Sequence, residues 1–203
     1  MIEIQVTKQA REAVKSYQLP QEGIGFGKVM APVMIELDYK NDQWGIPKLI
    51  PYGPLTLSPT CKVFHYAQEI FEGMKAYRAG GKGPYLFRPE ENAKRFGVSA
   101  ARMAMPQLPQ ETFVDCVKCL VQHSQEFIPQ NSGESLYLRP FMMATEEHLG
   151  IKPSDQFKFM VLASPSGAYF TESSLKILIE RRFARASPVG TGYSKTCGKF
   201  AAT

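Results

Sequence analysis

With 203 residues, 44% of them hydrophobic and 21% charged, the chain has a globular composition and room for a sizeable core in one large or two small domains. The net charge of +5 comes from scattered lysines and arginines, without a basic run or an interleaved aromatic stripe. That argues against nucleic-acid binding and suits a pocket for a small anion. No apolar stretch approaches a membrane span and no charged-then-apolar leader is seen, so a cytoplasmic protein is expected.

Residues 1–24 are mixed and polar, and are expected to form a peripheral arm with a helix near residues 8–17. Phe26-Gly27-Lys28 opens the ordered part. Residues 33–39 read as a strand, Asn41-Asp42-Gln43 as a turn and residues 44–51 as the hairpin partner, with a break at Pro51-Tyr52-Gly53-Pro54. Residues 62–66 are predicted as a strand and residues 68–73 as a short turn or helical piece ended by glycine. Residues 76–78 and 85–88 read as two strands joined by Gly80-Gly81-Lys82-Gly83.

Pro89 followed by Glu90 and Glu91 marks a helix start, where acidic residues suit the positive end of the helix dipole. Its predicted buried stripe is Ala93, Phe96, Ala100, Met103 and Ala104, with Arg95 beside it. Pro106 and Pro109 end it. A second helix follows from the spacing of Phe113, Val117, Leu120, Val121 and Phe127. Cys116-Val-Lys-Cys119 has CxxC spacing inside this helix. With no second cysteine pair and no suitable histidine, a helical core is expected there and no metal. Cys61 and Cys197 add no disulfide framework.

Residues 135–145 read as a strand with Leu136 and Leu138 alternating against Tyr137 and Arg139, and Pro140 suggests an edge or a strand end. Residues 157–163 are expected as a buried strand, residues 167–174 as a connecting loop, and residues 175–180 as the start of a new strand. The expected class is therefore α/β (α+β). A mixed small domain covers residues 1–168, an interdomain loop 169–174, and an incomplete larger domain begins at 175–203.

Chemistry concentrates at Gly190-Thr-Gly-Tyr-Ser-Lys195-Thr-Cys-Gly-Lys-Phe200, where one lysine sits among small residues. A nucleophilic lysine must be neutral, which calls for a partly desolvated or electropositive pocket. A phosphate loop of the nucleotide-binding kind needs glycine immediately before the lysine, where Ser194 stands, and Gly190 is one position too near. The dinucleotide fingerprint fails too, because Lys195 occupies the place of its third glycine. Arg95 fits either a solvated helix face or a phosphate clamp. Tyr137 and Arg139 fit either a half-exposed sheet or a carboxylate site. Phe26, Tyr66 and Phe71 fit either a core or the walls of an aromatic pocket.

Several blocks, in order, resemble one family. They are Phe26-Gly-Lys28, Phe64-His-Tyr-Ala-Gln-Glu-Ile-Phe-Glu-Gly-Met-Lys-Ala-Tyr-Arg78, Leu86-Phe-Arg-Pro-Glu-Glu-Asn-Ala-Lys-Arg95, Ser135-Leu-Tyr-Leu-Arg-Pro140, His148-Leu-Gly-Ile151, Ser164-Pro-Ser-Gly-Ala-Tyr-Phe170 and the stretch around Lys195. Together they are similar to the branched-chain-amino-acid aminotransferases, which have the type IV pyridoxal-phosphate fold.

The resemblance implies amino transfer between leucine, isoleucine or valine and 2-oxoglutarate. In it, Lys195 forms a Schiff base to pyridoxal 5'-phosphate and then moves the substrate proton. Arg95 would hold the cofactor phosphate. Phe26, Tyr66, Phe71 and Tyr169 would line the substrate pocket or its entrance, and Tyr137 and Arg139 would meet substrate carboxylates. Ile151 would reach the neighbouring subunit's pocket, implying a homodimer.

Three positions depart from the pattern. Cys197 replaces a glycine, Lys199 an asparagine, and Phe200 a cofactor-binding tyrosine whose hydroxyl it lacks. The chain also ends before the family's carboxylate partner for the pyridine nitrogen, so an incomplete and impaired chain is expected. The alternatives are another type IV enzyme, acting on D-amino acids or aminodeoxychorismate, and a non-catalytic dimerising fragment.

Overall fold

The computed structural model describes residues 2–20, 23–167 and 174–200. Its elements in chain order are β1 (Gln5–Val6), α1 (Lys8–Ser16), β2 (Val33–Lys40), β3 (Gln43–Trp44), β4 (Lys48–Pro51), α2 (Lys62–Tyr66), β5 (Glu69–Phe71), β6 (Met74–Ala79), β7 (Lys82–Leu86), α3 (Pro89–Arg102), α4 (Gln110–His123), β8 (Ser135–Ala144) and β9 (Phe157–Ser166). The strands form one sheet in the order β1-β4-β2-β9-β8-β6-β7, with β3 beside β2 and β5 beside β8. Among the described residues no helix is long and apolar enough to cross a membrane.

Strand alternation sorts the two faces of the sheet. Ile35, Leu37, Leu136, Leu138, Phe157, Phe159 and Val161 point into the core beneath α3 and α4. Tyr137, Arg139, Phe141 and Leu162 take the intervening positions, next to a small cluster of Met34, Met143 and Met160. Phe96 of α3, Phe113 of α4 and Phe159 of β9 meet with ring centroids 5.2 to 5.8 Å apart and lock the helices onto the sheet.

The helix starting at Pro89 buries Ala93, Phe96 and Ala100, as its spacing predicts, and Ser99 as well. Ala104 does not join that stripe: it lies past the helix end at φ 51° and is exposed. Cys116 is fully buried on α4, and burial pushes its thiol up to about 12. The N-terminal segment is more than a peripheral arm. Thr7 caps α1 by accepting from the Ala10 amide at 3.2 Å, Ala10 is fully buried, and Tyr17 packs edge-on against Phe127 at 4.9 Å.

Other expectations fail for tertiary reasons. Lys62–Tyr66 is one helical turn rather than a strand. The Lys62 amide donates to Glu146 O at 3.0 Å, its buried ammonium donates to Gly150 O at 2.8 Å and Lys152 O at 2.9 Å, and Ala67 closes the turn at φ 47°. These bonds override the strand preference of Val63, Phe64 and Tyr66. Residues 69–71 are a strand rather than a turn or helical piece, because Glu69, Ile70 and Phe71 pair with Met143, Met142 and Phe141.

Pro140 lies inside β8 rather than at its end. Its carbonyl accepts from the Glu72 amide at 2.7 Å, so its missing N–H faces the point where β5 gives way to β6 as the neighbour of β8. Residues 175–180 form no strand. Ile177, Leu178 and Ile179 are exposed, with no pairing partner among the described residues. Residues 168–173, where the sequence places the domain boundary, lie outside the described residues.

Candidate active site

The segment carrying Lys195 is docked by its backbone. Phe71 N donates to Lys195 O at 3.0 Å and Cys197 N donates to Glu69 O at 3.2 Å, an antiparallel contact along β5 that includes a bridge between Ile70 and Thr196. From α3, Ser99 Oγ accepts from the Lys195 amide at 2.9 Å. With its main chain held on both sides, Lys195 sets its amine 4.1 Å from the centre of the Phe71 ring and 5.3 Å from that of Phe200. Phe71 and Phe200 themselves meet edge-on at 5.2 Å.

Two arginines stand nearby, each oriented by a partner. Arg95 on α3 forms a two-pronged pair with Glu72: Nε to Oε1 and Nη2 to Oε2, both at 2.7 Å. On β8, Arg139 Nε and Nη2 donate to the Tyr137 hydroxyl at 3.1 and 2.9 Å, and the guanidinium lies 4.5 Å over the Phe71 ring. Phe26 packs edge-on against Tyr137 at 4.9 Å. Phe26, Tyr137 and Arg139, with Gly27, Met30, Leu162 and Ser164, line a recess of about 190 Å³. Gly73 leaves room here, since a Cβ at that position would lie 2.8 Å from the Tyr137 hydroxyl oxygen and would make that side chain shift.

Burial, then the charges of Arg95, Arg139 and Lys199, push the Lys195 ammonium below the ordinary lysine range, while Glu72 works the other way. The Phe71 ring face, like Glu72, favours the ammonium. Lys199 donates to Gly192 O at 3.0 Å and to Ser194 O, folding the loop back beside Lys195. Cys197 is no rival nucleophile: burial and the adjacent Glu69 carboxylate push its thiol up to about 12. Competitive acetylation across pH is therefore expected to show Lys195 titrating below the ordinary lysine range. Lys195 titrating at or above the ordinary lysine range would contradict this electrostatic picture.

The structure brings together Phe26, Phe71, Arg95, Tyr137, Arg139, Lys195 and Phe200. Tyr66 and Ile151 are not among these contacts: the Tyr66 hydroxyl donates to Leu149 O, and Ile151 is 94% exposed in the β8–β9 connection. Tyr169 lies outside the described residues. Sequence reasoning missed Glu72, which is fully buried between two residues of the site, and Ser99, which reads as a mere helix position.

No protein-family profile matches the chain. The branched-chain-amino-acid aminotransferase of Mycolicibacterium smegmatis is 43% identical over 201 residues, 97% of this chain and 54% of that protein. Branched-chain-amino-acid transaminase 1 of Bacillus subtilis is 42% identical over 184 residues, 89% of this chain and 52% of that protein. Among solved structures, a T.th. branched-chain amino acid aminotransferase with pyridoxamine 5'-phosphate is similar at a TM-score of 0.58 and 25% identity, covering 81% of this chain and 52% of that one. The chain is thus a homologue of the branched-chain-amino-acid aminotransferases with their mixed α/β type IV fold. It spans about half the length of the curated relatives it matches.

Proposed function

We propose that this chain belongs to a branched-chain-amino-acid transaminase, which moves an amino group between leucine, isoleucine or valine and 2-oxoglutarate with Lys195 joined as a Schiff base to pyridoxal 5'-phosphate. The observation that carries the reading is the Lys195 amine over Phe71, on a backbone held by β5 and α3, with Arg95 on α3 and Arg139 on β8 close by. Its relatives are named for branched-chain amino transfer, and the solved neighbour holds a pyridoxamine phosphate.

The residues present fit the cofactor. Arg95 commits only Nε and Nη2 to Glu72, leaving further N–H groups for a phosphate. When bound, pyridoxal phosphate supplies an electron sink. The chain's own part is to bind, to orient and to move one proton. Lys195, whose ammonium is disfavoured by burial and by the neighbouring cations, holds the base that takes the proton from the substrate Cα. Phe26, Phe71 and Tyr137 offer an apolar wall for a branched side chain, with Tyr66 and Tyr169 assigned to the entrance. Arg139, steadied by Tyr137, answers the second carboxylate of glutamate, which would otherwise lie unpaired against apolar surface.

We further assign residues 1–168 to a small domain, 169–174 to the interdomain loop and 175–203 to the start of the cofactor domain, in a cytoplasmic homodimer to which Ile151 contributes. Phe200 favours a second reading, a chain that keeps the fold and loses catalysis. It meets Phe71 at 5.2 Å and sits under Arg185 at 4.8 Å, but has no hydroxyl for a cofactor.

A single-turnover assay separates these readings. Protein loaded with pyridoxal phosphate should convert L-leucine to its 2-oxo acid, with D-alanine at least about 100-fold slower. Equal reaction of D-alanine would move the chain to another type IV activity, and no oxo acid from either would favour the non-catalytic reading.

A further inference from the structure

We propose that Glu72 is the positioning residue of the anion site: it fixes the Arg95 guanidinium so that the free edge of the fork is presented to a phosphate monoester. The proposal rests on the reading of Arg95 as the phosphate-binding arginine and goes beyond it by assigning the group that makes that arginine competent.

Three observations carry it. First, the Glu72 side chain is fully buried although it ends in a carboxylate, so its position is specified rather than incidental. Second, both its oxygens are engaged. Oε1 accepts from Arg95 Nε at 2.7 Å, and Oε2 accepts from Arg95 Nη2 at 2.7 Å, from Asn92 Nδ2 at 2.8 Å and from the Gly73 amide at 3.4 Å. A carboxylate satisfied in this way cannot swing toward an incoming anion. Third, the arginine it holds is half exposed on α3, where an unpaired long side chain would sample many rotamers. Arg95 also lines a recess of about 440 Å³ shared with Glu91, Asn92, Lys94 and Val98. Glu91 in that recess is itself bonded to Lys94 at 2.9 Å.

The location adds a reason. Phe71, Glu72 and Gly73 are consecutive: the first lies under the Lys195 amine, the second grips Arg95, and the third gives way to the Tyr137 hydroxyl. One short connection between β5 and β6 therefore sets the lysine, the phosphate arginine and the carboxylate-binding pair in one frame. The charge of Glu72 taken alone would repel a phosphate. The positioning role requires that the fixed fork outweigh this repulsion, and that gives the experiment a definite sign.

The test compares pyridoxamine 5'-phosphate with pyridoxamine by calorimetric titration of the full chain and of its Glu72→Gln, Arg95→Ala and doubly substituted variants. Neither probe forms a bond to lysine. The ratio of the two affinities therefore reports the phosphate contact alone, independent of the chemistry at Lys195. Wild-type protein should favour the phosphorylated probe, and Glu72→Gln should shrink that preference by about 10-fold. Pyridoxamine affinity should stay unchanged, and Glu72→Gln should have no further effect once Arg95 is alanine.

The proposal is overturned if the preference in Glu72→Gln is unchanged or larger, or if both affinities fall together as in a general loosening. A wild-type protein that does not discriminate the probes also overturns it, while leaving Lys195 as the amine-bearing residue untouched. Should Glu72→Gln not fold, the Arg95 Nε–H proton of the wild-type chain decides by NMR. Slow exchange and a single hindered orientation support the fixed fork, and exchange as fast as in a surface arginine contradicts it.

Discussion

Replacing Lys195 with alanine should lower leucine-dependent amino transfer by at least about 10⁴-fold and leave the fold intact. The expected loss is large because, on the proposed reading, the same amine would carry the cofactor and move the substrate proton, so both roles would vanish together. The fold survives because the contacts that dock this segment are made by backbone groups. Ser99 Oγ accepts from the residue 195 amide and the Phe71 amide donates to its carbonyl, whatever the side chain. Lys195→Arg should be as inactive as alanine, since a guanidinium stays protonated and cannot act as a neutral amine. Turnover with circular dichroism checks both variants. Residual activity above about one hundredth of wild type in either would assign the base to another group.

The largest stability effect is expected at Phe159→Ala, about 3–5 kcal/mol. Phe159 is fully buried on β9 and its ring meets Phe96 at 5.6 Å and Phe113 at 5.8 Å, one from each core helix. Removing it opens a cavity where α3, α4 and the sheet converge, and the partner rings cannot collapse into that space without shifting both helices. Because Arg95 and Ser99 sit on α3, the change should also loosen the Lys195 segment. Phe64→Ala is the control. Phe64 is 62% exposed on α2, and its truncation should fall within about 0.5 kcal/mol of wild type. Urea unfolding reads both, and equal midpoints for the two variants would contradict the assignment of the core.

The parts of the fold that local spacing reveals are those where one interaction dominates. Pro89 with two glutamates marks the start of α3, and the alternation of Leu136 and Leu138 with Tyr137 and Arg139 places the two faces of β8 correctly. Where distant groups decide, local reading fails. Lys62–Tyr66 looks like a strand, but the loop at Gly150 and Lys152 holds it in a helical turn. Pro140 looks like a terminus, yet it sits inside a central strand because the neighbour changes from β5 to β6 at that point.

The site is legible through blocks of residues rather than through periodicity. Lys195, Arg95, Tyr137 and Arg139 follow from the family resemblance, and the structure gathers them near Phe71 and the Glu72 that follows it. Glu72 itself escapes because its partner Arg95 lies 23 residues away, with nothing in the spacing to couple them. Tyr66, expected at the pocket or its entrance, donates here to Leu149 O, and Ile151, expected to reach a neighbouring subunit, is exposed.

The central claim, that Lys195 carries the cofactor, is tested most directly by borohydride reduction of the wild-type chain with pyridoxal phosphate, followed by peptide mass mapping. The expected result is one phosphopyridoxyl group per chain, on Lys195, with Lys199 and Lys94 unmodified. Label on Lys199, or spread evenly over exposed lysines such as Lys8, would contradict it.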